Sequence, residues 1–226
     1  MGIILIDNPS NYAIRKRYGS SRTKDSIKFI VVHYTGTKNA PNAINFIKSA
    51  QNNYAESSAH IFVDDKVALV SVPLNYVAWH CGTRGKYYHK YCRNANSIGI
   101  EMCCEYINGE WIIHDQVLKN TQELVKQLMK EYSIPIENVV RHYDVTHKLC
   151  PRPLVDETKW NAFKEGIELV RYKKLEDIPE FYRNYVDKYV KAGYIAGKGD
   201  GILDLTEDMI RTLIFTERML DDKEWY

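Results

Sequence analysis

The 226-residue chain contains no apolar run long enough to cross a bilayer. Its longest early run, Ile3 to Ile6, is also too short for the core of an export leader, which predicts synthesis in the cytoplasm without a signal peptide. Cysteine is sparse. Cys81, Cys92, Cys103, Cys104 and Cys150 are odd in number and lack framework spacing, which argues against a disulfide-stapled secreted domain and for a reducing compartment. Net charge is only +2, and no basic run is interleaved with aromatics, so a nucleic-acid-binding protein is not indicated. No internal repeat is apparent in the first 170 residues.

What is present is enough for a full core: 45% of residues are hydrophobic, which suits one main domain plus a small appendage. Charge is unevenly placed. From Leu175 onward there are 7 basic and 12 acidic residues, a net of −5, which leaves 24 basic and 17 acidic residues, a net of +7, on the remainder. A basic body favours a polyanionic partner, of which bacterial cell wall is one.

Residues 1–26 read as a partly irregular lead-in. Strands are expected at Ile27 to Tyr34, at Ser58 to Val63 and Val67 to Val72 around the turn Asp64-Asp65-Lys66, at Asn96 to Tyr106, and at Val139 to Tyr143. Asn108-Gly109 marks a hairpin. Helices are expected from Ala40-Pro41, from a cap at Asp115 to a stop at Ser133-Ile134-Pro135, and from a cap at Asp156, with Trp160, Phe163, Ile167 and Val170 inward. Mixed in this order, they predict an α/β fold with a central mixed sheet flanked by helices. The composition shift at Arg171-Tyr172-Lys173-Lys174 divides a body, 1–171, from a small helical C-terminal unit, 175–226. In that unit Pro179 opens one helix, closed by Gly193. Thr206 caps a second, with Leu205 stapled onto Ile210. Asp200 and Asp204 lack the ligand density of a calcium loop and read as a plain turn.

Three residues stand out chemically. His33 ends an apolar strand. His142 lies in a second apolar segment, and Cys150 follows in a loop ending Cys-Pro-Arg-Pro. Two imidazoles and a thiolate would bind zinc and leave a fourth position open, the pattern of a catalytic centre. Taken singly, each also has a plain reading as a packed core residue. His147 rivals His142 because it is nearer to Cys150. Within Asn96 to Cys103, alternation puts Ile98, Ile100 and Met102 on one face and Gly99, Glu101 and Cys103 on the other. A carboxylate in such a strand is costly unless paired or solvated, which singles out Glu101.

The stretches VVHYTG, SSAHIFVDD, VAWHCG, NSIGIEMC and RHYDVTHKLCPRP, in this order, resemble the zinc-dependent N-acetylmuramoyl-L-alanine amidases. That family includes many phage endolysins and bacterial autolysins and is related to animal peptidoglycan-recognition proteins. The resemblance covers about Ile27 to Val170. It implies zinc held by His33, His142 and Cys150, Glu101 as general base, and Lys148, two residues before the cysteine, as the group that steadies the oxyanion. Tyr34, Trp79, His80 and Asn96 become candidate substrate contacts, with peptidoglycan as partner, and His60 a structural or groove residue. One branch of the family has a tyrosine where Ala59 precedes His60, so here no tyrosine supplies that role and the resemblance shifts the burden to Glu101. The acidic tail resembles small C-terminal modules of Gram-positive phage lysins, implying wall binding or self-association. Two rival readings remain: a non-catalytic peptidoglycan-binding module, and a thiol peptidase using Cys150 as nucleophile.

Overall fold

A six-stranded sheet organises the larger part of the molecule. In the computed structural model, which describes residues 4–7, 18–38, 42–52, 57–82, 85–167 and 171–221, the sheet contains β1 (Ile4–Asp7), β3 (Phe29–Tyr34), β4 (Ile61–Val63), β5 (Val67–Val70), β7 (Ser97–Met102) and β10 (Val139–Arg141), in the order β1-β5-β4-β7-β3-β10. Only β4 and β5 run antiparallel, joined by the expected turn; the other neighbours are parallel. Asp64 fixes that turn: its Oδ1 accepts from the Lys66 and Val67 amides, both at 2.8 Å. Outside this sheet, β2 (Tyr18–Ser21) pairs with β6 (Tyr76–Ala78), and β8 (Glu105–Ile107) with β9 (Glu110–Ile112) across Asn108-Gly109. Both turn residues have positive φ, 51° and 89°, as a two-residue hairpin requires.

The sheet is covered on both faces, so its central strands are apolar throughout rather than alternating. Ile30, Val32, Ile98, Ile100 and Met102 pack against Val117, Leu124, Val125 and Leu128 of one helix and Trp160 and Phe163 of another. The helices of this part are α1 (Ala43–Asn52), α2 (Asp115–Tyr132), α3 (His142–Thr146) and α4 (Glu157–Glu165). The cap at Asp156 forms as expected, its carboxylate accepting from the Lys159 amide at 3.0 Å. Asp115 instead begins α2 from within, His114 being the capping position, and Ser133 closes the helix at φ 53°. The described residues of the expected lead-in, 4–7 and 18–26, supply β1, β2 and a 3₁₀ turn at Lys24–Ser26. The expected strand from Asn96 to Tyr106 breaks at Cys103-Cys104, both buried. The expected helix start at Ala40-Pro41, and Val170, lie outside the described residues.

The chain divides into two compact units, Met1–Glu168 and Leu169–Tyr226. The smaller holds α5 (Glu180–Lys191) and α6 (Glu207–Asp221), with a two-stranded pair, β11 (Arg171–Tyr172) and β12 (Leu205–Thr206), that periodicity did not foretell. Its core is Tyr172, Ile178, Val186, Leu205, Ile210 and Ile214. Thr206 caps α6 as expected, accepting from the Met209 amide at 3.3 Å. Asp204 forms an ion pair with Lys198, consistent with a plain turn.

Candidate metal centre and active site

Three parallel neighbours, β7, β3 and β10, end on the same edge of the sheet, and each delivers one chemically active residue there. His33 of β3 sits in register with Glu101 of β7. Arg141 of β10 is in register with Val32, so His142 follows level with His33. The carboxyl ends of parallel strands are where open α/β sheets gather their ligands. His142 was expected within a strand. The strand stops at Arg141, and His142 instead opens α3, because Asp144 folds back to accept from the Arg141 amide at 2.7 Å.

Arg141 was not singled out from sequence, yet it holds this edge together. Buried, it bonds both carboxylate oxygens of Asp144, the Glu157 carboxylate at 2.5 Å, and the carbonyls of Leu154 and Val155 at 3.1 and 2.9 Å. One guanidinium thus ties α3, α4 and the loop after Cys150 to β10. A charged residue directly after two strand valines was the signal for it. Cys150 is fixed further by its carbonyl, which accepts from the Tyr143 amide at 2.8 Å.

The outcome is a buried trio. One ligating atom from each of His33, His142 and Cys150 lies within 4.8 Å of the others. The Sγ of Cys150 is 3.6 Å from His33 Nδ1, close to the separation of about 3.5 Å between a sulfur and a nitrogen at two corners of a zinc tetrahedron. Neither ring nitrogen of His142 has a hydrogen-bond partner; the Gly82 backbone approaches it without reaching hydrogen-bond geometry. A buried imidazole left without partners costs stability unless something else uses its lone pair. Burial, then the Lys148 charge, holds His142 down to about 4, and burial together with the His142 charge keeps His33 well below its ordinary value. Both rings are therefore neutral at neutral pH, the form in which an imidazole can bind a metal. Burial pushes the Cys150 thiol up to about 12, a preference that a divalent cation beside the sulfur reverses. The donor set fits a transition-metal ion with nitrogen and sulfur preference.

Glu101 stands beside the trio. The residue is partly exposed, but its Oε2 is sealed from solvent and has no hydrogen-bond partner. Burial raises its carboxyl to about 8, opposed by Lys148. Lys148 itself is exposed, and its charge acts on His33, His142, Glu101 and Cys150 alike. The rival ligand His147 lies apart from the trio. It is exposed, in left-handed conformation at φ 60°, with its ring stacked on Tyr88 at 3.5 Å.

The four candidate substrate contacts divide. Tyr34 follows His33 and meets Trp111 edge-on at 5.6 Å, and Trp79 is 42% exposed. Asn96 spends both ends of its amide inside its own loop, on the Arg93 amide and the Tyr91 carbonyl. His80 is buried, its two ring nitrogens 3.0 Å from His33 Nε2 and 3.2 Å from Ser97 Oγ, so it has no nitrogen to offer a substrate. His60 is structural: its ring accepts from the Gly99 amide at 2.9 Å and donates to the Tyr76 carbonyl at 3.0 Å.

Known proteins share this arrangement of chain. A family model described as N-acetylmuramoyl-L-alanine amidase matches residues 23–153. The N-acetylmuramoyl-L-alanine amidase CwlL of Bacillus licheniformis is 36% identical over 156 residues, 63% of this chain and 41% of that protein. Among solved structures, the catalytic domain of XlyA superposes with a TM-score of 0.58 at 30% identity, covering 74% of this chain and 100% of that domain. A mutant endolysin from Bacillus subtilis superposes at 0.57 with 31% identity, covering 74% and 99%. The chain spans about two fifths of the length of the curated relatives CwlL and BlyA, 41% in each case. A match over more than half the chain, enclosing the buried trio and Glu101, places this protein in the N-acetylmuramoyl-L-alanine amidase family.

Proposed function

We propose that this protein is a zinc-dependent peptidoglycan amidase of the endolysin type, hydrolysing the amide between N-acetylmuramic acid and L-alanine. The observation that carries the reading is the convergence of three buried donors, one of them an imidazole with no partner at either nitrogen, beside a carboxylate with one unpartnered oxygen. His33, His142 and Cys150 would hold the ion. When bound there, zinc supplies Lewis acidity to the scissile carbonyl and makes water a nucleophile near neutral pH. With the positive charge of the ion and of Lys148 favouring its ionised form, Glu101 would accept the proton that water loses and hand it to the leaving alanine nitrogen, so that hydroxyl joins the lactyl carbon and hydrogen the amine. The unpartnered Oε2 suits a group that must both accept and return a proton. Lys148 brings positive charge to the oxygen that becomes negative in the tetrahedral state.

The thiol-peptidase reading fares worse. A thiol pushed up to about 12 is a poor nucleophile at neutral pH. A purely binding role would leave the trio and the sealed carboxylate without a task. For the C-terminal unit we propose wall binding or self-association, supported by exposed Phe181, Tyr194 and Phe215. No described helix is long and apolar enough to cross a membrane.

Digestion of purified wall tests the activity. New amino-terminal alanine should appear without new reducing sugar ends, and chelation should stop its release. Reducing ends without new alanine, or activity that survives removal of all metal, would overturn the proposal.

A further inference from the structure

The His33 ring can serve as drawn only in one tautomer. Its Nδ1 faces Cys150 Sγ, so the metal lone pair must be there and the ring proton on Nε2. What decides the tautomer is a chain of polar contacts running away from the centre. Ser97 Oγ lies 2.7 Å from the Arg93 carbonyl oxygen. Two oxygens that close need a proton between them, and a carbonyl has none, so the serine hydroxyl donates to Arg93. Ser97 therefore has no proton left for His80, whose Nε2 stands 3.2 Å away, and His80 must donate to Ser97 from Nε2. A neutral imidazole with its proton on Nε2 has a bare Nδ1. His80 Nδ1 is 3.0 Å from His33 Nε2, so His33 donates to His80 and its own Nδ1 is bare. Each link follows from the one before, starting from a backbone carbonyl.

We infer that His80 is a positioning residue. Polarised by Ser97 and the Arg93 carbonyl, it fixes His33 in the tautomer and ring orientation that present Nδ1 to the metal. The assignment rests on the metal reading of the proposed function and gives a buried histidine with no substrate role a task. An imidazole ligand whose second nitrogen donates to an oriented acceptor is both aligned and made more basic.

The sheet is built to admit this ring. Ser97, Gly99 and Glu101 share one face of β7 and lie in register with Phe29, Val31 and His33 of β3. A Cβ on Gly99 would fall 2.4 Å from Cγ of His80 and 2.7 Å from Nδ1. Any side chain there displaces the imidazole. Gly99 is thus required by close packing beneath His80.

Two measurements on the full zinc-loaded chain test the inference. Nitrogen NMR of the parent should find the shared proton covalently on His33 Nε2, with coupling across the hydrogen bond to a bare His80 Nδ1. A proton residing on His80 Nδ1 would overturn it. Zinc affinity, measured by chelator competition, should fall about 10–100-fold in His80→Leu and in Gly99→Ala. His80→Asn, whose carbonyl oxygen can still accept from His33, should recover to within a few-fold of parent, and Ser97→Thr should exceed Ser97→Ala. Equal loss in the Leu and Asn variants, both folded by circular dichroism, would reduce His80 to packing and overturn the assignment. Parental affinity in His80→Leu would do the same. Should these variants fail to fold, the NMR result on the parent decides alone. A parent that binds no zinc would instead refute the proposed function.

Discussion

The two units spend their interiors differently. The larger buries His33, His60, His80, His142, Asp64, Ser97, Asn120 and Arg141 among its apolar residues. The smaller, among its described residues, buries apolar side chains and Thr206, and carries its ion pairs, such as Arg211 with Glu207 and Lys188 with Glu217, on exposed or half-buried groups. Glu217 Oε2 is sealed without a partner, while the carboxylate's other oxygen pairs with Lys188. Burying polar groups costs stability unless each is satisfied, so they persist where structure or chemistry requires them. In the larger unit most are satisfied: Arg141 by carboxylates and carbonyls, His60 by backbone, Asp64 by amides. His142 and Glu101 Oε2 are not, and they are the two that flank the proposed ion. The contrast supports placing the proposed chemistry in the larger unit and the proposed wall binding or self-association in the smaller.

The contrast can be broken most severely at the trio. Cys150→Ser should lose metal and hydrolysis together while far-UV circular dichroism of the chain stays close to parental, since the sheet does not depend on the sulfur. Retention of parental zinc content would show that the cysteine is no ligand. Next in size, Glu101→Gln should keep its zinc and lose about 10²–10⁴-fold in turnover. Near-parental rates would return Glu101 to a plain buried carboxyl.

A third test moves to the other interior. Ile210→Ala should destabilise the smaller unit by roughly 2–5 kcal/mol, the usual cost of such a truncation in a core, without altering zinc content. A change in metal affinity would mean that the two units are energetically coupled.

The fourth uses pH on metal-free protein. Burial raises Glu101 to about 8 in the folded state, above the ordinary carboxyl value of 4.5, so the folded state holds a proton that the unfolded chain has released. Stability from this group is complete below pH 4.5 and is lost as pH rises to about 8. At 1.36 kcal/mol per unit the loss is of the order of a few kcal/mol. Glu101→Gln should flatten that decline, as read by denaturant melts between pH 5 and pH 9. Parallel curves for the two proteins would contradict it.

The smallest effect is expected from removing the smaller unit. Cutting after Glu168, ahead of β11, should leave zinc binding and turnover of soluble muropeptide near parental, with any change confined to wall binding or self-association. Aggregation or loss of metal would show that the first unit needs the second.

The sequence was most legible where a single strand carried the information. The place of His33 near the end of its strand, the turn at Asp64, the hairpin at Asn108-Gly109 and the cap at Asp156 all follow from local patterns, and each is present. The trio itself is non-local, with 117 residues separating His33 from Cys150, and periodicity alone could not choose between His142 and His147. That choice is made by the fold-back of Asp144 onto Arg141, which ends β10 one residue before His142 and turns the imidazole inward. The role of His80 was illegible for a related reason. In the sequence it is a polar residue beside an exposed tryptophan, and only the glycine beneath it and the serine beyond it, from a strand 17 residues later, reveal that it faces inward.

The central claim is that two imidazoles and one thiolate hold the ion that this chain uses. X-ray absorption at the zinc edge of the purified full chain tests it directly, together with metal content. The account predicts one zinc per chain, with a single sulfur at about 2.3 Å and the remaining nitrogen or oxygen neighbours at about 2.0–2.1 Å. The sulfur contribution should vanish in Cys150→Ser. A sulfur-free shell in the parent, or two sulfurs, would contradict the account.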